Sequence, residues 1–359
     1  MARVYNFGAG PAVLPLEVLE EAQRQLVDFQ GSGISILEHS HRGKEYDAVH
    51  QEAVANLTKL LNLGDDHVVL FLQGGASMQF AMLPMNLLGA GQTADYVNTG
   101  SWAKKAISEA KIVGKVSVAA DTSAEKPARV PREAELKLTP GAAYVHLTSN
   151  ETIDGTQWKS FPTTAAPLVA DMSSDFLSRP LDARRFGLIY AGAQKNVGPA
   201  GTAVVVMRKD LAGRCPATVP KILRYATHIE ENSLYNTPSS FTIYVIMLVP
   251  RWLLKTGLEA IGQRNAAKAA KLYAAIDRSG GFYKGTAAPE SRSEMNVTFR
   301  LPSEALEEAF VKETAKGGMK GLKGHRSVGG IRASIYNAFP PEGVDALVAF
   351  MEDFRKKNG

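Results

Sequence analysis

The chain has 359 residues, of which 45% are hydrophobic and 21% are charged. This composition excludes a disordered or fibrous protein and is typical of a globular one. The length is sufficient for two domains. The formal charge of +5 is spread over lysines and arginines that alternate with acids. It therefore favours small anionic ligands at least as well as nucleic acid, which requires basic residues gathered in a patch.

The cellular location is predicted from three absences in the sequence. Cys215 is the only cysteine, so no intrachain disulfide can form and a reducing compartment is expected. Residues 1–8 contain no apolar core of a signal peptide. The most apolar run, 243–249, stops at Pro250 and Arg251 and is too short to span a bilayer. These features predict a cytoplasmic protein.

The first third of the chain predicts helices separated by one strand. Pro15 opens a helix with apolar residues at helical spacing, and a second helix is expected over 44–63. Residues 68–72 predict a strand that ends at Gly74-Gly75 and passes into a helix over 76–88. A strand, a glycine turn and a helix in this order present backbone N–H groups to a phosphate.

The next segment continues the alternation of strands and helices. Strands are predicted at 96–97, 116–119, 144–147 and 168–170. Thr99-Gly100-Ser101 is expected to cap a helix that begins at Trp102. This order predicts an α/β protein whose mostly parallel sheet is covered on both faces, with ligands at the carboxyl ends of the strands.

A lysine lies in a turn of small residues between two apolar segments. Lys195 is inside the run 190–201, with the apolar segments 187–191 and 202–207 on either side. The pattern predicts strand, turn, strand. An amine held between buried strands is partly desolvated and suits a Schiff base with a carbonyl cofactor. The alternative is a solvated lysine at a hairpin tip.

The sequence changes character after about residue 258. Helices are expected over 261–279 and 303–314, strands over 296–300 and 331–336, and an amphipathic helix ends the chain. This segment predicts a smaller α+β domain. We expect a large domain over 16–258 and a small domain formed by 1–15 and 259–359.

Four further residues fit one cofactor together with Lys195. Asp171 follows the apolar run that precedes it directly, and pyridoxal phosphate needs both a lysine and an acid that keeps its pyridine nitrogen protonated. Trp102 offers a stacking face, Ser77 a phosphate ligand, and Thr152 a partner for the ring oxygen. Three of these residues have a structural alternative when considered singly: Asp171 as a cap of the next turn, Trp102 as a core residue, and Thr152 as part of a simple turn.

The ordered set of motifs resembles the phosphoserine aminotransferase family, a group of fold type I pyridoxal-phosphate enzymes. The similar segments are 6–12, 73–80, 149–155, 193–196, 236–238 and 324–334, which together extend over essentially the whole chain. The resemblance implies a large domain with a mostly parallel, seven-stranded sheet and a smaller α+β domain. Two positions depart from some relatives: Ala9 replaces a serine, and the Ala76-Ser77 loop lacks an arginine.

The resemblance also implies roles for individual residues. Lys195 would form the Schiff base, Asp171 would bind the pyridine nitrogen, Trp102 would stack, and Thr152 would bond the phenolic oxygen. The phosphate would be held by Ala76, Ser77 and Gln194, and by Asn236 and Thr237 of a partner subunit. A homodimer with shared active sites follows from that arrangement.

The substrate residues implied by the resemblance are His41, Arg42, His325, Arg326 and Arg332. Arg332 suits the bidentate binding of an α-carboxylate. The others would receive a phosphate or a γ-carboxylate. The implied reaction moves the amino group of L-glutamate to 3-phosphohydroxypyruvate, reversibly and with ping-pong kinetics, giving O-phospho-L-serine and 2-oxoglutarate. It belongs to serine biosynthesis, and the phosphohydroxythreonine step of vitamin B6 synthesis is a second possible role.

Four other functions remain as alternatives. Alanine–glyoxylate or serine–pyruvate aminotransferases share the fold, but offer no reason for two His-Arg pairs. A cysteine desulfurase would need a mobile catalytic cysteine, and Cys215 is poorly placed. Nucleotide or RNA binding through 316–323 lacks a P-loop ending and interleaved aromatics. A metal hydrolase lacks H-E-x-x-H spacing, so no metal is predicted.

Overall fold

The computed structural model describes residues 3–359 and divides them into nine α-helices and fourteen strands. The helices are α1 (Leu16–Arg24), α2 (Lys44–Leu60), α3 (Gly75–Leu87), α4 (Ser101–Val113), α5 (Tyr225–Glu230), α6 (Ser240–Thr256), α7 (Leu258–Asp277), α8 (Glu304–Lys316) and α9 (Pro341–Asn358). The strands are β1 (Tyr5–Asn6), β2 (His67–Gln73), β3 (Thr93–Asn98), β4 (Lys115–Asp121), β5 (Val145–Thr148), β6 (Asn150–Glu151), β7 (Thr156–Gln157), β8 (Leu168–Asp171), β9 (Leu188–Gly192), β10 (Thr202–Arg208), β11 (Lys284–Gly285), β12 (Asn296–Arg300), β13 (Met319–Lys320) and β14 (Ile331–Ser334).

A seven-stranded sheet in the order β2-β10-β9-β8-β5-β3-β4 forms the centre of the molecule. Strand β10 is antiparallel to both neighbours, and the remaining pairs are parallel. The register aligns Thr148 with Asp171 and Asp171 with Tyr190. Three adjacent strands therefore end at one edge of the sheet, and the α/β prediction is confirmed.

The central strands are apolar on both faces, as a covered parallel sheet requires. Every residue of β5, β8 and β9 is buried. Alternate residues enter different cores: Ala170 and Ile189 belong to one cluster, and Val169 and Leu188 to another. The apolar segments predicted around Lys195 thus become interior strands of the sheet.

The apolar run 243–249 lies in α6 and is buried within the protein. Among residues 3–359, no single helix combines the length and apolar composition needed to cross a membrane. Helices α6 and α7 pass that test only as a pair, and they bend by 88° where they meet.

A second body of structure contains the three-stranded sheet β11-β12-β14 and helices α7 to α9. Strand β1 pairs in parallel with β13, and Phe7 packs in this second core. Helix α7 extends through both cores, because Leu258 and Ile261 pack with the large sheet while Leu272 packs with the small one. These contacts support the expected domain division, which stays a prediction.

Strand β3 is longer than the sequence pattern predicts. It begins at Thr93 and includes Asp95, which is fully buried. The Asp95 carboxylate accepts hydrogen bonds from the backbone N–H of Thr139 at 2.6 Å and from its hydroxyl at 2.7 Å. A buried acid in a strand is costly without such partners. Because those partners are distant in sequence, the local pattern could not reveal them.

Replacing Phe310 should test the core of the small domain. Its ring is fully buried and contacts Phe299, Phe350 and Phe354 with centroid separations of 5.2–6.0 Å. We expect Phe310→Ala to destabilise the protein by about 3–5 kcal/mol, because it leaves a cavity. Ile112→Ala is the control: Ile112 is 79% exposed, so a change within about 0.5 kcal/mol is expected. Equal thermal unfolding midpoints for the two variants would contradict this assignment of the core.

Candidate active site

The lysine turn joins two neighbouring antiparallel strands of the sheet, as the sequence predicts. It connects β9 to β10, closed by a 2.9 Å hydrogen bond from Ala193 N–H to the Thr202 carbonyl. Lys195 is half-buried on this turn. Burial lowers the pKa of its amine, and the nearby Asp171 carboxylate opposes that shift. The environment is therefore suited to an amine that must lose its proton to react.

The N-terminal loop packs directly on the lysine turn. Ala12 N–H donates to the Gln194 carbonyl at 2.8 Å. A side chain at Gly10 would begin 3.4 Å from Cγ of Gln194 and 3.6 Å from Cγ of Lys195, and the φ of Gly10 is +145°. Ala9 contributes its carbonyl, which accepts the Tyr336 hydroxyl at 2.7 Å. The first residues thus brace the lysine from one side.

Asp171, at the end of β8, has one carboxylate oxygen fully engaged. Its Oδ1 accepts the backbone N–H of Ser173 at 2.9 Å and the Ser173 hydroxyl at 2.6 Å. Its Oδ2 accepts no hydrogen bond from residues 3–359. Burial raises the pKa of Asp171, while Lys195 and Ser173 lower it. One fixed oxygen and one available oxygen fit the binding of a protonated pyridine nitrogen.

Trp102 and Thr152 meet through a direct side-chain contact. The indole Nε1–H of Trp102 donates to Thr152 Oγ1 at 2.7 Å, and Lys195 Nζ lies 5.5 Å from the centroid of the indole ring. Because Oγ1 accepts the hydrogen bond from the indole N–H, the Thr152 hydroxyl can donate its own hydrogen to an acceptor in the cavity. A phenolic oxygen on a ring stacked against Trp102 fits that requirement.

The predicted cap of this helix is wrong in its details. Helix α4 begins at Ser101, and its N-cap is Gly100, which has no side chain to cap with. The first N–H groups of the helix are instead capped by two carboxylates from a turn that is distant in sequence. Glu151 accepts the backbone N–H groups of Trp102 and Ala103, and Asp154 accepts that of Ser101. Tertiary contact therefore replaces the local cap that the sequence suggested.

One cavity of about 390 Å³ lies over the lysine turn. Nine of the predicted site residues line it: Ala76, Ser77, Trp102, Thr152, Asp171, Gln194, Lys195, His325 and Arg332. The other five do not line it within this chain: His41, Arg42, Asn236, Thr237 and Arg326. The structure thus brings together the residues predicted for the ring and the α-carboxylate, and leaves apart five of those predicted for the phosphate groups.

The end of the cavity where the sequence predicts a phosphate is the start of α3. Gly74 is the N-cap with φ of +88°, and the helix begins at Gly75. The first N–H groups of a helix have no partner within it and favour an anion. Gln194 also lines this end of the cavity, and its side-chain amide carries an N–H donor that suits a phosphate oxygen. This arrangement suits a phosphate monoester without an arginine in the loop.

The residues outside the cavity lie at or near the surface. Arg42, Thr237 and Arg326 are exposed, and His41 is half-buried in the turn before α2. Asn236 donates from Nδ2 to Gln73 Oε1 at 3.0 Å, one residue before Gly74. Asn236 is therefore close to the glycine turn before α3 of its own chain, although it does not line the cavity.

Arg332 and His325 form the opposite wall of the cavity. Arg332, on β14, donates from Nη1 to the Thr152 carbonyl at 3.3 Å, and its Nε is buried without a partner among residues 3–359. His325 Nδ1 lies 2.7 Å from the Ser327 hydroxyl. Burial lowers the pKa of His325, and the charge of Arg332 lowers it further. A carboxylate entering here would satisfy the unused guanidinium donors.

Sequence reasoning missed Thr148 as a cavity residue. It ends β5 beside Asp171, and its buried Oγ1 has no partner in the described part of the chain. Its position at the end of a predicted strand could have revealed it, since parallel strands place their last residues at the same edge of a sheet. Gly10 and Ser174 also line the cavity: Gly10 lies within the similar segment 6–12, and Ser174 lies three residues after Asp171.

The sequence model of the family described as aminotransferase class-V matches residues 4–347, and the chain belongs to this family. A phosphoserine aminotransferase from Niallia circulans is 57% identical, with 99% of each chain covered. The phosphoserine aminotransferase from Desulfosudis oleivorans is 58% identical over the same share of both chains.

Solved structures agree with this assignment. The phosphoserine aminotransferase from Bacillus circulans subsp. alkalophilus has a TM-score of 0.96 at 56% identity and 99% coverage of both chains. The pyridoxal-phosphate-bound enzyme from Trichomonas vaginalis has a TM-score of 0.94 at 41% identity, covering 98% of this chain and all of the other. An alanine–glyoxylate aminotransferase from Nostoc, at 16% identity and a TM-score of 0.78, shares the fold alone. The predicted fold type I architecture is confirmed.

Removing one bond tests the contact between Trp102 and Thr152. Trp102→Phe keeps an aromatic face but loses the Nε1 donor, so we expect about a fivefold rise in the dissociation constant for pyridoxal phosphate, corresponding to about 1 kcal/mol. The control is Trp252→Phe, since Trp252 packs near Arg264 outside the cavity and its replacement should leave that constant unchanged. Equilibrium dialysis measures both. Equal affinities for the two variants would refute the role given to this bond.

Proposed function

We propose that the chain is a pyridoxal-phosphate-dependent transaminase that moves the amino group of L-glutamate to 3-phosphohydroxypyruvate, reversibly, in the cytoplasm. The observation that carries the proposal is the single cavity in which Lys195, the available oxygen of Asp171, the Trp102–Thr152 pair and Arg332 meet. Relatives more than half identical over their full length bear the name phosphoserine aminotransferase, which supports the choice of substrate.

The cofactor would be held along the length of the cavity. Lys195 would bind its aldehyde, Asp171 its ring nitrogen, and Thr152 its phenolic oxygen, with Trp102 against the ring. Ala76, Ser77 and Gln194 would bind the phosphate. When bound, pyridoxal phosphate supplies an electron sink for the bond broken at the substrate α-carbon. Asp171 favours this chemistry because a negative charge beside the ring nitrogen keeps that nitrogen protonated.

Lys195 would move the proton of the substrate. Burial already lowers the pKa of its amine, and a neutral amine is required of a general base. With its amine free, Nζ would take the proton from the α-carbon of the substrate as a general base and then give it, as a general acid, to the former aldehyde carbon of the cofactor. The bracing of the turn by the N-terminal loop keeps this amine within a limited range of positions.

Arg332 would bind the α-carboxylate that both substrates share. One of its N–H groups is already fixed on the Thr152 carbonyl, and the planar guanidinium leaves other donors for a bidentate pair. The same turn thus supports the arginine and the Thr152 hydroxyl. Substrate carboxylate and cofactor ring would therefore be positioned relative to each other by one segment of backbone.

The distal group of the substrate, and part of the binding of the cofactor phosphate, would require a second subunit. His41, Arg42, Asn236 and Thr237 lie outside this chain's own cavity, and a partner could supply them. Six of the thirteen exposed large apolar residues recorded for residues 3–359 lie between Leu16 and Leu37, directly before His41. Clustered exposed apolar side chains favour an interface. A homodimer with shared active sites, with Arg326 and His325 completing the anion site, accounts for both features.

Comparison of two acceptors tests the proposed substrate. Because a phosphate would engage several cationic side chains, kcat/KM for 3-phosphohydroxypyruvate should exceed that for hydroxypyruvate by at least about 100-fold. Arg326→Ala should reduce this ratio. Arg332→Lys is the matched control: it should weaken both acceptors alike and leave the ratio near its native value. A native enzyme without preference for the phosphorylated acceptor would contradict the proposal.

Mixing two inactive variants tests the shared active site. Lys195→Ala removes the amine, and Arg42→Ala removes a predicted phosphate ligand. If Arg42 acts across the interface, half of the randomly formed dimers are mixed and each has one intact site, so co-expression should restore about a quarter of native activity. Each variant expressed alone is the control. Activity no higher than the sum of the separate variants would show that Arg42 does not act in the partner's site.

A further inference from the structure

We propose that Glu151 is a positioning residue, whose buried carboxylate fixes Trp102 and Thr152 relative to each other and thereby sets the affinity for the cofactor. The inference rests on the proposed function in that it takes these two residues as the face and the hydroxyl that meet the ring of pyridoxal phosphate.

Glu151 uses both carboxylate oxygens on one end of a helix. Oε2 accepts the backbone N–H of Trp102 at 2.9 Å, and Oε1 accepts that of Ala103 at 2.8 Å. The residue is 1% exposed. Burial raises its pKa to about 8, and the two amide donors oppose that rise. A thirteen-residue helix directs its positive end at this carboxyl group, and this dipole opposes the rise as the two amide donors do.

The same short turn carries Thr152. Glu151 pairs with Thr156 in the hairpin β6–β7, and its carbonyl accepts the Gly155 N–H at 2.8 Å. Thr152 follows Glu151 directly, and its hydroxyl oxygen accepts the hydrogen bond from the indole N–H of Trp102. The side chain of Glu151 therefore holds the backbone of Trp102 while the next residue holds its ring.

The contact between Glu151 and the start of α4 leaves no room for a side chain at Gly100. A side chain at Gly100 would begin 2.5 Å from Asp154 Oδ2 and 2.9 Å from Cδ of Glu151. Any larger residue there would push the carboxylate away from the amides. Asp154 takes the remaining N–H of this turn, that of Ser101, by a longer bond of 3.3 Å. Glu151 thus makes the two shorter bonds of the three.

A helix cap that only stabilised the fold would behave differently from a positioning residue. Its loss would lower the unfolding temperature and leave the cofactor affinity unchanged. Glu307 provides that comparison, because it is also a buried glutamate that accepts backbone N–H groups, those of Leu301 at 3.2 Å and Gly330 at 3.1 Å, and it does not line the cavity.

The test measures the dissociation constant for pyridoxal phosphate by equilibrium dialysis. Glu151→Gln keeps the size of the side chain but turns an NH₂ group towards one of the two donors. We expect about a tenfold weaker affinity, together with faster hydrogen exchange in residues 101–105 of the holoenzyme. Glu307→Gln should lower the thermal midpoint and keep the native affinity within about twofold.

A second variant covers failure of the first to fold. Gly100→Ala retains the charge of Glu151 and displaces it, so it should weaken cofactor binding in the same direction. Native affinity and native exchange in the folded Glu151→Gln or Gly100→Ala protein would overturn the inference. A protein that binds the cofactor but has no preference for the phosphorylated acceptor would refute the proposed substrate, while the affinities would still decide the role of Glu151.

Discussion

The partly buried amine of Lys195 beside the buried carboxylate of Asp171 is the constraint on which the rest of this site depends. Moving a charged group out of water costs roughly several kcal/mol of free energy unless hydrogen bonds or an opposite charge offset that cost. Asp171 is compensated on one side by Ser173, and Ser173 Oγ in turn accepts the backbone N–H of Gly192 at the end of the next strand. Lys195 is left with less compensation, and its pKa falls. A cofactor that reacts with the neutral amine and binds the carboxylate would relieve both groups.

The fold supplies this arrangement through aligned strand ends and two braces. The parallel strands β5, β8 and β9 bring Thr148, Asp171 and the start of the lysine turn to one edge of the sheet. The N-terminal loop presses on the turn from one side. On the other side, Asn337 N–H donates to Asn196 Oδ1 at 3.0 Å, beside Lys195. The turn is thereby tied to the N-terminal loop and to the segment that precedes α9.

Local sequence patterns were sufficient for the alternation of strands and helices and for two of the residues at the edge of the sheet. Lys195 could be predicted because it lies in a turn between two apolar strands, and Asp171 because it ends an apolar strand. The glycine turn before α3 has its own signature. The cap of α4 could not be predicted from local patterns, because Glu151 and Trp102 are 49 residues apart. The length of β3 was missed for the same reason: the partner of Asp95 lies 44 residues away. Buried polar contacts of this kind depend on tertiary structure and leave no periodic signal.

The predicted substrate residues also divide into those that this chain brings to the cavity and those that it leaves outside. His325 and Arg332 lie on one wall of the cavity because β14 and the loop before it bring them there. His41 and Arg42 precede α2, outside the cavity of their own chain. No pattern within one chain reveals a contact between two copies, so their assignment depends on the resemblance and on the apolar surface next to them.

The most direct measurement is the identity of the lysine that carries the cofactor. The holoenzyme would be reduced with borohydride, digested, and mapped by mass spectrometry, with Lys195→Ala treated in parallel. The account predicts one modified peptide, with pyridoxyl phosphate on Lys195, and neither modification nor multiple turnovers in the variant. Modification of a different lysine, or repeated turnover by Lys195→Ala, would contradict it.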